Sequence, residues 1–176
     1  MGQLEEAVKP ILEPMLRGQR CLIDAEAKRI LAFWVTKTVL AFQSVESDTT
    51  TFARPLEFKQ LVQSKQALPA SQIWLGATRY GNEMFYRAHS ACLPEEDSMA
   101  ANGFGATLIV GHAAFYLLHG FEEPLGLQLR VSISSALRKI HPTDKGTIAW
   151  PPRSFLEPDN KNGLAELVIA NSIRSA

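Results

Sequence analysis

The segment that most constrains the fold is a long, largely apolar stretch at residues 25–44, AEAKRILAFWVTKTVLAFQS. Placed at about 100° per residue, Arg29, Thr36 and Gln43 form a narrow polar stripe on it. A helix with so little polar surface must be buried over most of its circumference. Asp24, directly before the stretch, is suited to cap a helix N-terminus. We therefore predict a helix that begins after Asp24 and lies at the centre of the fold.

Two further helices are predicted around this central one. Apolar residues recur at helical spacing near the N-terminus, namely at Leu4, Val8, Ile11, Leu12 and Met15. Pro10 is expected to kink or break that first helix because proline lacks an amide donor and clashes with the preceding turn. Gly18 is a natural stop. Pro55 stands at the favoured first turn of a short helix over residues 55–65.

From residue 71 onward the hydrophobic period changes from helical to strand-like. Two dipeptides between β-rich runs, Gly81-Asn82 and Gly111-His112, predict two-residue hairpin turns. The segment 127–133 alternates between apolar and polar residues, which is typical of a half-buried antiparallel strand. A short terminal helix is predicted over residues 162–173.

Helical patterns followed by strand patterns predict an α+β fold, with N-terminal helices packed on an antiparallel β-meander sheet and a short C-terminal helix. The length of 176 residues fits one domain. We predict a single domain over 1–176, in which the helical part covers about 1–66 and the β-rich part about 71–152. Residues 153–176 then form the C-terminal tail and helix.

The charge balance limits which classes of partner the chain is expected to bind. Eighteen basic and 18 acidic residues give a net charge of zero, and general nucleic-acid binding needs surplus Lys and Arg. Weak charge repulsion favours self-association, so we expect a homodimer that uses the first and central helices. With only two cysteines, Cys21 and Cys92, the chain lacks a disulfide framework and fits the reducing cytoplasm. The N-terminus shows no signal peptide, and no stretch is long and apolar enough for a membrane span.

Four short motifs resemble the non-nuclease, C-terminal region of bacterial and phage HNH-endonuclease-like proteins. They are Trp34-Val-Thr-Lys37-Thr, IWLG at 73–76, and the pair IHP at 140–142 and WPP at 150–152. The fourth lies in the N-terminal segment, at Met1, Leu4, Glu5, Lys9, Pro10, Pro14 and Gly18. His141 departs from the tryptophan expected at its position.

The resemblance implies a companion domain from which the zinc and HNH nuclease part is missing, acting in phage defence or counter-defence. In agreement, the histidines His89, His112, His119 and His141 show no metal-ligand spacing and are interpreted as surface or turn residues. We therefore expect no enzyme activity, no catalytic residue, no metal and no cofactor.

The remaining candidate site residues, which are mostly cationic and aromatic side chains, favour anion binding. Arginines on strands present forked donors to phosphate or carboxylate, and an aromatic ring can stack on a base. The expected ligand-binding residues are Lys37, Trp74, Arg79, Arg87, His89 and Arg130. Lys37 is either a desolvated ammonium facing a ligand between the sheet and the central helix, or a side chain that reaches water over apolar surface.

Two functions are consistent with these features. The first is a non-catalytic domain that binds a small anionic, nucleotide-type ligand, as a sensor or sequestering protein. The alternative is a protein-interaction or oligomerisation module of a former HNH nuclease.

Overall fold

A computed structural model describes residues 2–45, 52–79, 81, 84–91, 103–121 and 136–156, with the backbone alone at 89–91. Within these residues the predicted α+β class is confirmed, with three helices preceding most of the strands. The helices are α1 (Gln3–Leu16), α2 (Ala25–Val45) and α3 (Pro55–Ser64). The strands are β1 (Cys21–Ile23), β2 (Ser71–Ala77), β3 (Met84–Ala91), β4 (Gly103–Val110), β5 (Ala113–Gly120), β6 (Arg138–His141) and β7 (Ile148–Trp150).

Of the kink or break predicted at Pro10, the break is wrong, because helix α1 continues through both Pro10 and Pro14. The helix buries Val8, Leu12 and Met15, while Pro10 lies on its exposed side. Packing of the buried face against α2 outweighs the loss of the two backbone hydrogen bonds that Pro10 and Pro14 cannot donate. The chain leaves α1 through Gly18, whose φ of 66° favours glycine.

Helix α2 is capped as predicted, because Asp24 Oδ1 accepts a 2.8 Å hydrogen bond from the Ala27 amide. It packs against α1, α3 and several strands. The predicted polar stripe is wrong, since Thr36 and Gln43 are buried. Thr36 Oγ1 donates to the Ala32 carbonyl at 2.8 Å, and Gln43 Oε1 accepts from the Ala53 amide at 2.8 Å. These hydrogen bonds let the two polar side chains enter the core. The exposed positions of α2 instead include Glu26, Arg29, Lys37, Ala41 and Ser44.

The main sheet has five described antiparallel strands in the order β3-β4-β5-β2-β6. The Gly111-His112 hairpin is confirmed, with Val110 opposite Ala113. The Gly81-Asn82 hairpin is wrong, because β2 pairs with β5 and β6 while β3 pairs with β4. The residues of a turn do not indicate that a strand later in the sequence, β5, pairs with β2. Gly81 serves a different purpose, since a Cβ there would overlap the His112 ring.

The two faces of the sheet are both covered by apolar side chains. The face toward the helices carries Ile73, Leu75, Phe104, Leu108, Phe115 and Leu117 in the main core. On the opposite face, Trp74, Ile109, Tyr116 and Leu118 form a second core together with Leu137 and Leu156. A separate two-stranded ladder joins β1 to β7, with Cys21 opposite Trp150.

Two elements predicted from the sequence lie outside the described residues. These are the alternating strand at 127–133 and the terminal helix at 162–173. Among the helices that the structure describes, none combines the length and apolar character needed to cross a membrane.

Candidate functional site

The hairpin turn between β4 and β5 packs against the C-terminal end of α1. The His112 amide donates to the Leu16 carbonyl at 3.3 Å, and the Thr78 amide donates to the His112 carbonyl at 2.9 Å. Gly111 has a φ of 56°, and a Cβ at this position would lie 2.7 Å from the Leu16 carbonyl oxygen. Glycine is therefore required here, and the turn is held at a fixed distance from α1.

The His112 ring is oriented by its surroundings. Its Nδ1 lies 2.9 Å from the Thr78 carbonyl oxygen, and since a carbonyl can only accept, Nδ1 carries the proton. The ring sits beside two glycines, Gly18 and Gly81, and a Cβ on either would come within 3.2 Å of it. The imidazole therefore has little freedom to rotate.

A cleft of about 510 Å³ opens beside this turn. We call it the hairpin cleft, and its lining residues are Arg17, Gly18, Ala77, Arg79, His112, Pro151 and Phe155. No described carboxylate belongs to that lining. The Arg79 side chain is exposed, and its guanidinium carbon lies 5.4 Å from the centre of the Phe155 ring. Such a contact between a cation and an aromatic face holds the arginine at the wall of the cleft.

The second arginine of the hairpin cleft is already paired, but weakly. Arg17 Nη2 lies 2.7 Å from Glu13 Oε1, and both side chains are largely exposed. Exposed pairs on a helix surface contribute roughly 0.3–0.5 kcal/mol, so an anionic ligand can compete for Arg17. Forked guanidinium donors suit phosphate and carboxylate groups. The cleft can therefore hold an anion between two arginines.

Lys37 lies elsewhere, on the surface beside α1. Its side chain is 46% exposed and its ammonium pairs with Glu5. The ammonium thus points to the surface rather than into the space between α2 and the sheet, so its predicted position facing that space is wrong. The Lys37 contact lowers the pKa of the Glu5 carboxyl. The interpretation that the lysine reaches water is the one that matches this geometry.

The other predicted ligand-binding residues are spread over the sheet. Trp74 is buried on the face opposite the helices, with its ring centre 5.8 Å from that of Tyr116. Arg87 is exposed on β3 and pairs in register with Thr107. His89 is on the same strand, opposite Gly105, and Arg130 lies outside the described residues. Of the predicted set, only Arg79 lines the hairpin cleft.

A second group of polar side chains, which we call the buried polar cluster, was not predicted from the sequence. It comprises Arg54, Glu57, Ser71 and His119. Ser71 Oγ lies 3.1 Å from His119 Nδ1, and His119 Nε2 lies 3.7 Å from Glu57 Oε1. Glu57 Oε1 accepts from Arg54 Nη2 at 3.0 Å, and Glu57 Oε2 accepts from the Arg54 amide at 2.8 Å. The glutamate thereby caps α3 and holds the arginine.

The order of serine, histidine and carboxylate in this cluster resembles a nucleophile with its base. However, Ser71 is 0% exposed and His119 is 2% exposed, so a substrate has no access to the hydroxyl. Burial lowers the pKa of His119 to about 4, and the nearby Glu57 carboxylate opposes that shift. The arrangement belongs to the core, where His119 Nε2 has no hydrogen-bond partner among the described residues. The prediction that His119 is a surface or turn residue is wrong. His141, also assigned to that class, is half-buried at the end of β6.

No simple sequence signal could have assembled the cluster, because its members come from α3, β2 and β5. The one local signal is Glu57, three residues after Arg54 and at the position of a capping-box glutamate. Among the residues that the structure describes, no three His, Cys, Asp or Glu side chains come together as a metal site.

Comparison with known proteins does not assign this site to a known family. No protein-family model matches the chain, and no match was found among curated proteins or among solved structures. The candidate site is therefore defined by its own residues, with the hairpin cleft as an accessible cationic surface and the buried polar cluster as part of the core.

Proposed function

We propose that the chain is a non-catalytic binding domain for a small anionic, nucleotide-type ligand, and that the hairpin cleft is its binding site. The observation that carries this proposal is the pair of arginines, Arg17 and Arg79, on a cleft whose described lining contains no carboxylate. In a chain with no net charge, the positive charge of Arg79, joined by that of Arg17 when a ligand displaces Glu13 from it, favours a bound anion.

The shape of the cleft supports a small ligand. Its volume of about 510 Å³ falls in the range of roughly 300–1,000 Å³ that is usual for small-molecule sites. Phe155 and Pro151 supply apolar surface beside the guanidinium groups. A nucleotide combines a planar apolar base with a phosphate, and both parts would find partners here. A sensor or sequestering role in phage–bacterium conflict belongs to the same proposal.

Arg79→Ala is expected to weaken nucleotide binding by about 1.5–3 kcal/mol, the usual contribution of a hydrogen bond to a charged group. The fold should be unchanged because the side chain is exposed. Thermal denaturation against mono-, di- and cyclic nucleotides measures this effect, since a ligand at about 100 times its dissociation constant adds about 2.7 kcal/mol. Arg87→Ala is the matched control, an exposed arginine that lines no part of the cleft.

Two results would contradict the proposal. One is a flat melting temperature across the whole nucleotide panel. The other is a loss of binding in Arg87→Ala with full affinity in Arg79→Ala. That result would place the site on the surface around Arg87 instead of in the hairpin cleft.

We also propose self-association as a second candidate function, because α3 presents apolar surface. Val62 is 74% exposed and lies at the edge of a groove of about 470 Å³ lined also by Leu4, Phe33 and Leu61. We expect light scattering at micromolar concentration to give about twice the chain mass of 19.5 kDa. Val62→Asp should return the chain to the monomer mass, and Gln63→Asp, which adds the same charge one position along α3, should not. A wild-type monomer would contradict this candidate.

A further inference from the structure

A second cleft adjoins the hairpin cleft and continues it along the β1–β7 ladder. It measures about 590 Å³, and its lining residues are Arg20, Cys21, Leu22, Ala149, Trp150, Pro151, Pro152, Arg153 and Phe155. We call it the ladder cleft. It shares Pro151 and Phe155 with the hairpin cleft. The two clefts are therefore neighbouring parts of one surface.

The pairing of β1 with β7 brings the arginines of the ladder cleft together. Cys21 stands opposite Trp150 in an antiparallel register, so Arg20 precedes β1 at the place where Pro151 follows β7. Arg153 comes two residues later. Both arginines are exposed, and neither is within ion-pair distance of a described carboxylate.

The ladder cleft repeats the electrostatic character of the first. No described aspartate or glutamate lines either cleft, while each contains two arginines. Like charges held on one surface repel each other, and a ligand with two anionic groups relieves that repulsion at both ends. The shared wall between the pairs is apolar and half-buried, formed by Pro151 and Phe155.

We propose that the ligand carries two phosphoryl groups and belongs to the dinucleotide class, which rests on the function proposed above. One phosphoryl group is held by Arg17 and Arg79, and the other by Arg20 and Arg153. The connecting sugar and base lie over Pro151 and Phe155. Guanidinium groups bind phosphate oxygens through paired donors, and apolar surface between the two pairs suits the planar part of a nucleotide better than it suits water.

The test compares two probes by isothermal titration calorimetry, adenosine 5′-monophosphate and the linear dinucleotide pApA. We expect pApA to bind at least about tenfold tighter, because a second charged contact of about 1.4 kcal/mol is worth a factor of ten. Arg153→Ala should reduce the affinity for pApA about tenfold and leave the affinity for the monophosphate unchanged. Arg79→Ala should weaken both probes. Arg29→Ala, an exposed arginine on α2 that lines neither cleft, is the control and should weaken neither.

The outcomes separate this inference from the proposed function. If neither probe binds, the dinucleotide assignment is overturned, and the proposed function is overturned with it when the melting temperature is also flat across the whole nucleotide panel. If the probes bind equally, or Arg153→Ala changes neither affinity, the dinucleotide assignment is overturned while the single-anion site stands. An acidic dipeptide, N-acetyl-Asp-Asp, that binds as tightly as pApA overturns the assignment to a nucleotide. Equal weakening by Arg29→Ala and Arg153→Ala shows attraction by general charge and also overturns it.

Discussion

Glu57→Ala is expected to lower the free energy of unfolding by about 3 kcal/mol, the lower end of the cost of breaking a buried ion pair. The carboxylate is buried and accepts hydrogen bonds from both the Arg54 guanidinium and the Arg54 amide. Its removal leaves the amide at the start of α3 without an acceptor. Arg54 itself is 41% exposed and can turn partly to water, which is why the lower end of the range applies.

Chemical denaturation followed by tryptophan fluorescence measures this change. Glu57→Gln keeps an oxygen acceptor and should cost less than the alanine variant. Glu26→Ala is the matched control, because Glu26 pairs with Arg29 at the same i,i+3 spacing but both side chains are exposed. That change should cost less than about 1 kcal/mol. Equal destabilisation by Glu57→Ala and Glu26→Ala would show that the buried polar cluster does not stabilise the core.

The stability of the chain is expected to fall by about 3 kcal/mol between pH 6.5 and pH 4 through His119 alone. Burial lowers the pKa of this imidazole from 6.5 to about 4, and each pKa unit corresponds to about 1.4 kcal/mol. Over most of that window the unfolded chain takes up a proton at His119 and the folded chain does not, because the folded chain becomes half protonated only near pH 4. Folding stability must therefore rise with pH across the window and be lost as the pH falls.

Other titrating groups can be separated from His119. The paired carboxylates of Glu5 and Asp144 have lowered pKa values because Lys37 and Lys28 contact them, so they lose their contribution mainly below the window. Burial also lowers the pKa of His141, and this group acts in the same direction as His119. The slope of stability against pH in a His119 variant thus isolates the contribution of His119.

His119→Asn is the appropriate variant, because the asparagine amide oxygen can accept from the Ser71 hydroxyl in place of Nδ1. Unfolding free energies at several pH values from 7 to 4 should show a shallower slope for His119→Asn than for the parent chain, whatever its absolute stability. His141→Asn serves as the control. Its unfolding free energy should keep the part of the pH dependence that comes from His119. Parallel curves for the parent and His119→Asn would mean that His119 is not protected from protonation in the fold.

The features that depend on neighbouring residues could be predicted from the sequence. The Asp24 cap of α2, the stop at Gly18 and the Gly111-His112 hairpin each involve residues within a few positions of one another. The order of helical and strand periods likewise determines the α+β class, because periodicity reports which face of an element is buried.

Pairings between distant segments were decided by the tertiary structure alone. Ser71 and His119 are 48 positions apart, and they meet because β2 pairs with β5 rather than with the strand that follows it. The same packing buries Thr36 and Gln43 and places Lys37 on the surface.

The candidate site shows the same division. The sequence by itself determined that the chain has helices followed by strands, no net charge and arginines near strand ends. Only the tertiary structure decided which arginines share a surface, because Arg17 and Arg79 adjoin one cleft through the packing of α1 against the β4–β5 hairpin. Contacts of this kind are selected by the free energy of the whole core, in which each strand takes the partner that buries the most apolar surface. The choice of strand partner produces no periodic pattern in the sequence, so it could not be predicted from the sequence.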